Sequence, residues 1–201
     1  MPQPVEFWFD FASTYSYLTA VRIEEAAAAK NVSVSWRPIL LGPIFALHGW
    51  NTSPFRVYPI KGEYMWRDVE RRAEKLGRPF YKPGANDARD FPQHTVLAAR
   101  MALIALDGDA GREFCKSVFI AEFEEGRDIS DPQTLVDIAV KAGVPGDILG
   151  AATSPENKQR LRADVERAKA LKIFGAPSFT VGEELFWGDD RLDDALDWAA
   201  R

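Results

Sequence analysis

One cysteine in 201 residues excludes an internal disulfide, a dithiol redox pair and a cysteine-rich zinc site. Histidine is nearly as scarce: His48 and His94 stand alone, with no third nitrogen or sulfur ligand nearby, which argues against a metal centre. No apolar run approaches the ~18 residues that a membrane-spanning helix needs. Cations are in deficit, 25 Lys and Arg against 30 Asp and Glu for a net charge of −5. There is no basic patch with interleaved aromatics, so neither nucleic acid nor an anionic membrane is the expected partner. Met1-Pro2-Gln3-Pro4 lacks the basic start of a signal peptide. With so little cysteine, a cytoplasmic location is expected.

Aromatic residues, by contrast, are plentiful: 13 Phe, 6 Trp and 5 Tyr. Hydrophobic content of 46% and charged content of 27% suit a globular chain with a full core, organised as one domain or as one domain carrying a large insertion. Several aromatics are expected to line an apolar cleft. Cys115 falls at a helix core position and reads as a small buried hydrophobe rather than a nucleophile.

Residues 5–9 are short, apolar and aromatic, as in a strand buried in a sheet. Residues 10–12 read as a tight turn, and a helical pattern runs from Ser13 to Lys30. Ser13 therefore stands where a strand ends and a helix begins. It is either a simple N-cap or part of a site that favours an anion. A second strand at 32–36 implies a parallel pair with a right-handed crossover. Residues 40–59 lack periodicity and read as a long loop. Helices are expected at 62–76, 91–106, 109–125, 131–142 and 154–172, with another Pro/Gly/Asn loop at 82–90. Asp131-Pro132 and Ser154-Pro155 are cap-then-proline helix starts. Residues 178–181 and 184–187 read as an antiparallel hairpin, and a last helix from Asp190 turns Leu192, Leu196 and Trp198 inward. Glu122, Glu124 and Glu125 read as a solvated helix end.

This order predicts an α/β chain: a thioredoxin-like β-α-β…β-β-α domain (1–40 and 165–201) interrupted by a helical insertion domain (41–164). In that architecture Phe174-Gly175-Ala176-Pro177 occupies the place of a cis-proline loop that faces the first helix and offers the backbone of Ala176 to an extended peptide-like ligand. Disulfide oxidoreductases of this architecture carry Cys-x-x-Cys at the first helix. Here the four positions are Ser13-Thr14-Tyr15-Ser16, so the protein cannot exchange disulfides with a dithiol of its own, and its sulfur must come from a ligand such as glutathione.

Three stretches carry a resemblance. The opening from Phe9 to Leu18 resembles the FDF-x-S-P-x-S-Y-L start of the 2-hydroxychromene-2-carboxylate isomerases, which sit with the kappa-class glutathione transferases in the thioredoxin-like superfamily. Phe174-Gly175-Ala176-Pro177 is similar to their FG-x-P loop, and the segment from Trp187 to Leu192 to their WG-N/S-DRL segment. Thr14 departs from the usual proline and Asp189 from the usual asparagine or serine, the latter adding a carboxylate beside the glutathione site. The resemblance implies that Ser13 donates to the glutathione sulfur and that Ala176, beside Pro177, pairs with the cysteinyl unit. It implies that Trp187, Gly188, Asp189 and Asp190 take the γ-glutamyl end, with backbone N–H groups on its carboxylate and Asp190 on its ammonium. Asn51 and Lys61 match positions that contact glutathione or substrate. Asn86, with Phe45 and Trp50, is expected to hold a small aromatic substrate, and His48 is a lesser candidate. The implied activity is glutathione-dependent isomerisation of 2-hydroxychromene-2-carboxylate or a close aromatic analogue by a homodimer. A kappa-like transferase and a non-catalytic glutathione- or peptide-binding module are the alternatives.

Overall fold

The computed structural model describes residues 2–83 and 91–201. Its centre is a sheet of four strands in the order β2-β1-β3-β4. Strand β1 (Val5–Phe9) pairs in parallel with β2 (Val34–Pro38) and antiparallel with β3 (Ser178–Val181), which forms a hairpin with β4 (Glu184–Trp187). Strand β1 is aromatic on both faces because both faces are covered. Phe7 and Phe9 join the main core, while Trp8 points to the opposite face and packs with Ile39, Val165 and Ala168. Strand β2 lies two residues later than its alternation suggests and takes in Pro38. At a sheet edge a missing N–H is tolerated, and Ile39 N–H makes the next bond, to Phe9 C=O at 2.8 Å.

The expected helix at 13–30 is two helices, α1 (Thr14–Ala20) and α2 (Ile23–Ala28). The break falls at Arg22, whose guanidinium reaches Asp189 C=O at 2.7 Å, so a distant contact overrides the helical preference of an alanine-rich run. The expected loop at 40–59 contains α3 (Leu41–Ala46) and α4 (Pro54–Val57), both too short to display a period. Then come α5 (Pro59–Lys75), α6 (Val96–Ala105), α7 (Gly111–Phe123), α8 (Pro132–Ala142), the unforeseen α9 (Ile148–Thr153) and α10 (Pro155–Ala170). A 3-10 turn (Asp189–Arg191) leads into α11 (Leu192–Ala199). Leu192 and Leu196 are buried in α11, but Trp198 lies at the surface under the Arg201 guanidinium, 4.0 Å from its ring centre, rather than inward.

The sheet and the central helices share one core. Phe9 and Phe11 of the N-terminal stretch meet Phe119 of α7 at 5.6 and 4.9 Å between ring centres. Cys115, on the same helix, is fully buried, and burial pushes its thiol pKa upward. Cys115→Ala should therefore cost only about 1 kcal/mol of stability, the scale of a small core truncation, and leave the chemistry of the protein intact. A urea melt and a rate measurement check both. No helix among the described residues is long and apolar enough to cross a membrane.

Candidate functional site

The site begins with Asp10. The turn after β1 would expose donors at Ala12, and Asp10 bends back to accept from Ala12 N–H at 3.1 Å. The same buried carboxylate accepts from Leu41 N–H at 2.7 Å, capping α3, and from Thr95 Oγ1 at 2.8 Å, just before α6. Three segments far apart in sequence are thereby fixed to the end of β1. Burial raises the Asp10 carboxyl pKa, and the three donors only partly oppose the rise.

The turn delivers Ser13 to the N-cap of α1, where its hydroxyl accepts from Ser16 N–H at 3.1 Å. The hydroxyl hydrogen goes elsewhere, to Ala176 C=O at 2.9 Å. Ser13 is thus an N-cap and, in the same geometry, a bridge to the Phe174–Pro177 loop, whose Ala176-Pro177 bond is cis. That loop is in turn joined to the next motif, because Gly188 N–H donates to Pro177 C=O at 2.9 Å. Trp187 lies over the loop so closely that a Cβ at Gly175 would sit 2.5 Å from its indole nitrogen. Gly188 has a φ of 108°, and a Cβ there would meet Asp190 Oδ1 at 2.5 Å, so the backbone permits no other residue without a shift. Ser13, Ala176, Pro177, Trp187, Gly188 and Asp190 therefore gather in one place, with Ser13 and Ala176 half-buried and Trp187 and Asp190 exposed.

Two details differ from expectation. The Gly188 N–H is engaged by Pro177 and is not available to a ligand carboxylate. Asp189 does not present its carboxylate at the surface; it is buried and bonded to Thr19 Oγ1 at 2.9 Å, to Arg22 at 3.1 Å and to Arg72.

None of the hydrogen bonds that join this cluster involves Asn51, Lys61, Phe45, Trp50 or His48. Asn51 is exposed, and Lys61 is exposed with its ammonium 5.0 Å from the centre of the Tyr58 ring. Phe45 and Trp50 pack edge to face on each other at 5.9 Å, and His48 is exposed beside Trp50. Asn86 lies outside the described residues. Among the described residues no group of three or more His, Cys, Asp or Glu could hold a metal ion.

A cleft adjoins the first turn of α1. Thr14 Oγ1 donates to Met65 Sδ at 3.1 Å, and the rings of Tyr15 and Phe55 lie 6.4 Å apart. Met65 and Phe55, with Arg56, Trp66 and Phe91, line a space of about 290 Å³. A narrower cavity shares Trp66, Pro83 and Phe91 and is also lined by Glu122. Neither Phe45 nor Trp50 lines this space. Glu122 and Glu124 are also not a solvated helix end: Glu122 is buried, and Glu124 accepts from Tyr17 at 3.0 Å and Arg78 at 2.6 Å. A larger groove of about 460 Å³ lies along β2 between Arg37, Arg112 and Arg160, but it includes none of the motif residues.

The DSBA-like thioredoxin domain matches over residues 4–197. The chain belongs to that family. This DSBA-like protein is 29% identical to the 2-hydroxychromene-2-carboxylate isomerase of Sphingobium xenophagum over 195 residues, 96% of each chain. It is 25% identical to human glutathione S-transferase kappa 1, over 96% of this chain and 89% of that one. A solved structure of a 2-hydroxychromene-2-carboxylate isomerase superposes with a TM-score of 0.80 at 26% identity, over 94% of this chain and 90% of that one. The relatives carry the names of isomerases and transferases. The chain shares with that solved isomerase structure a fold built on a thioredoxin-like sheet joined to a body of helices.

Proposed function

We propose that the protein is a glutathione-dependent isomerase acting on 2-hydroxychromene-2-carboxylate or a close aromatic analogue. The carrying observation is the single contact between Ser13 Oγ and Ala176 C=O, which joins the helix start to the cis-proline loop in a chain that has no dithiol of its own. The residues present fit a thiol tripeptide. Ser13 offers a hydroxyl to sulfur, Ala176 offers main-chain groups to a peptide unit, and Asp190 offers an exposed carboxylate to an ammonium. Glutathione would supply a thiolate that adds to the conjugated carbon of the substrate and leaves again, with free rotation in between.

The protein's own part is to bind, orient and hold charge. With the site in its resting geometry, the Ser13 hydroxyl and the Ala176 carbonyl satisfy each other. A ligand with an anionic sulfur and a neighbouring peptide N–H takes over both partners at once, so neither group is stranded. The Ser13 donor and the start of α1 lower the sulfur pKa. Phe55, Met65, Trp66 and Phe91 supply the apolar walls for a flat ring, and the exposed Arg56 of the lining, which donates to Phe91 C=O at 2.8 Å, would meet a substrate carboxylate. Asn86 remains the proposed polar contact to the substrate, and Asn51 and Lys61 the proposed contacts from the α3–α5 side.

Two measurements test the reading. Turnover should vanish in glutathione-free buffer and return on adding it. With substrate in excess over glutathione, many turnovers should occur with total free glutathione unchanged. The 25% identity to a kappa transferase supports a second reading, in which one glutathione is consumed for each product formed. Binding without turnover would leave a ligand-holding module.

A further inference from the structure

We propose that Asp189 is a positioning residue that sets the spacing between the two ends of the ligand site and links that spacing to the wall of the aromatic cleft. The inference rests on the reading of the site as a glutathione site. Thr19, which donates to Asp189 at 2.9 Å, lies on α1, the helix that Ser13 caps. Asp189 lies next to Asp190 in the turn. A movement of Asp189 relative to Thr19 is therefore a movement of the ammonium end relative to the sulfur end. Four donors converge on this one residue: Thr19 Oγ1, Arg22 Nε at 3.3 Å, Arg22 Nη2 at 3.1 Å, and Arg72. Arg22 also reaches the Asp189 main-chain oxygen at 2.7 Å, which fixes rotation as well as distance. The asparagine or serine of the resembling isomerases could satisfy the threonine but could not balance two guanidinium groups. In this chain the turn is held by charge.

Arg72 carries the constraint onward. It belongs to α5, and its guanidinium lies 5.9 Å from the centre of the Tyr15 ring, which itself faces Phe55 of the cleft. A displaced turn would thus disturb both ligand pockets while leaving the Ser13 hydroxyl in place.

Calorimetric titration with glutathione, alongside thermal melting, separates this role from plain support of the fold. The wild type should bind; if it does not, the glutathione reading fails whatever the variants do. Asp189→Asn should melt lower and bind glutathione about 10-fold more weakly, the loss of roughly one charge-assisted contact, while the thiol titration of the bound glutathione stays as in the wild type. Adding Arg72→Gln removes the guanidinium left unpaired, so melting should recover while affinity stays low. Affinity that recovers together with melting, or wild-type affinity in Asp189→Asn, overturns the proposal. If Asp189→Asn does not fold, Thr19→Val removes only the hydroxyl. Weaker binding in a stably folded Thr19→Val supports the inference, and unchanged affinity overturns it.

Discussion

Ser13→Ala is expected to slow turnover about 10- to 100-fold at neutral pH. A hydrogen bond to a charged acceptor contributes roughly 1.5–3 kcal/mol, which corresponds to a rise of about one to two units in the pKa of the bound thiol. The start of α1 remains in the variant, so some thiolate persists and activity does not fall to zero. The substitution also removes an N-cap, which costs about 1 kcal/mol of stability, and that loss must be kept apart from the chemistry. Ser13→Gly does this. It lacks the hydroxyl but is a tolerable cap, so it should match Ser13→Ala in rate and thiol pKa while melting close to the wild type. Thiolate absorbance of the glutathione complex against pH is the direct measurement. An unchanged titration in both variants would reduce Ser13 to a cap with no part in the chemistry.

Asp10→Ala is expected to have the largest effect on stability, ~3 kcal/mol or more, because it strands the buried donor of Thr95 and the half-buried donors of Ala12 and Leu41, with a lost partner costing roughly 1–3 kcal/mol. Asp10→Asn is the sharper probe. Because burial raises the native pKa of Asp10, the folded protein keeps this proton at a pH where the unfolded chain has lost it. Asp10 therefore contributes most to stability on the acid side. That contribution falls as pH rises from the ordinary aspartate range through the higher native pKa. Asparagine cannot titrate. The stability of the wild type relative to Asp10→Asn should decline with rising pH across that window and level off above it, as urea melts at several pH values would record. The opposite slope would mean that the three donors outweigh desolvation.

The sequence is most readable where bonding is local. The hairpin of β3 and β4, the start of α8 at Pro132 and the start of α10 at Pro155 follow from patterns within a few residues, and the structure has them at those positions. The three motifs of the site could be located because each is a short contiguous word. Where the bonding partner is distant, the reading fails. Nothing near Leu41 announces a helix, since its cap is a carboxylate 31 residues earlier. Nothing near Asp189 shows that Arg22 and Arg72 draw it inward. The cleft wall is an intermediate case. Ser53-Pro54 is the same cap-then-proline signal seen at Pro132 and Pro155, and Ser53 does accept from Phe55 N–H at 3.3 Å. Read that way, it would have replaced part of the supposed loop with a short helix bearing Phe55, which lines the cleft.

The burial of Cys115 bears on how the protein fares under oxidative stress. A chain with its only sulfhydryl sealed in the core has no accessible thiolate to attack oxidised glutathione, and reactive aromatic electrophiles find no thiol to arylate. Its polypeptide should come through a swing in cellular redox poise without a cysteine adduct. On the proposed reading, such a swing reaches the activity through the supply of the reduced tripeptide.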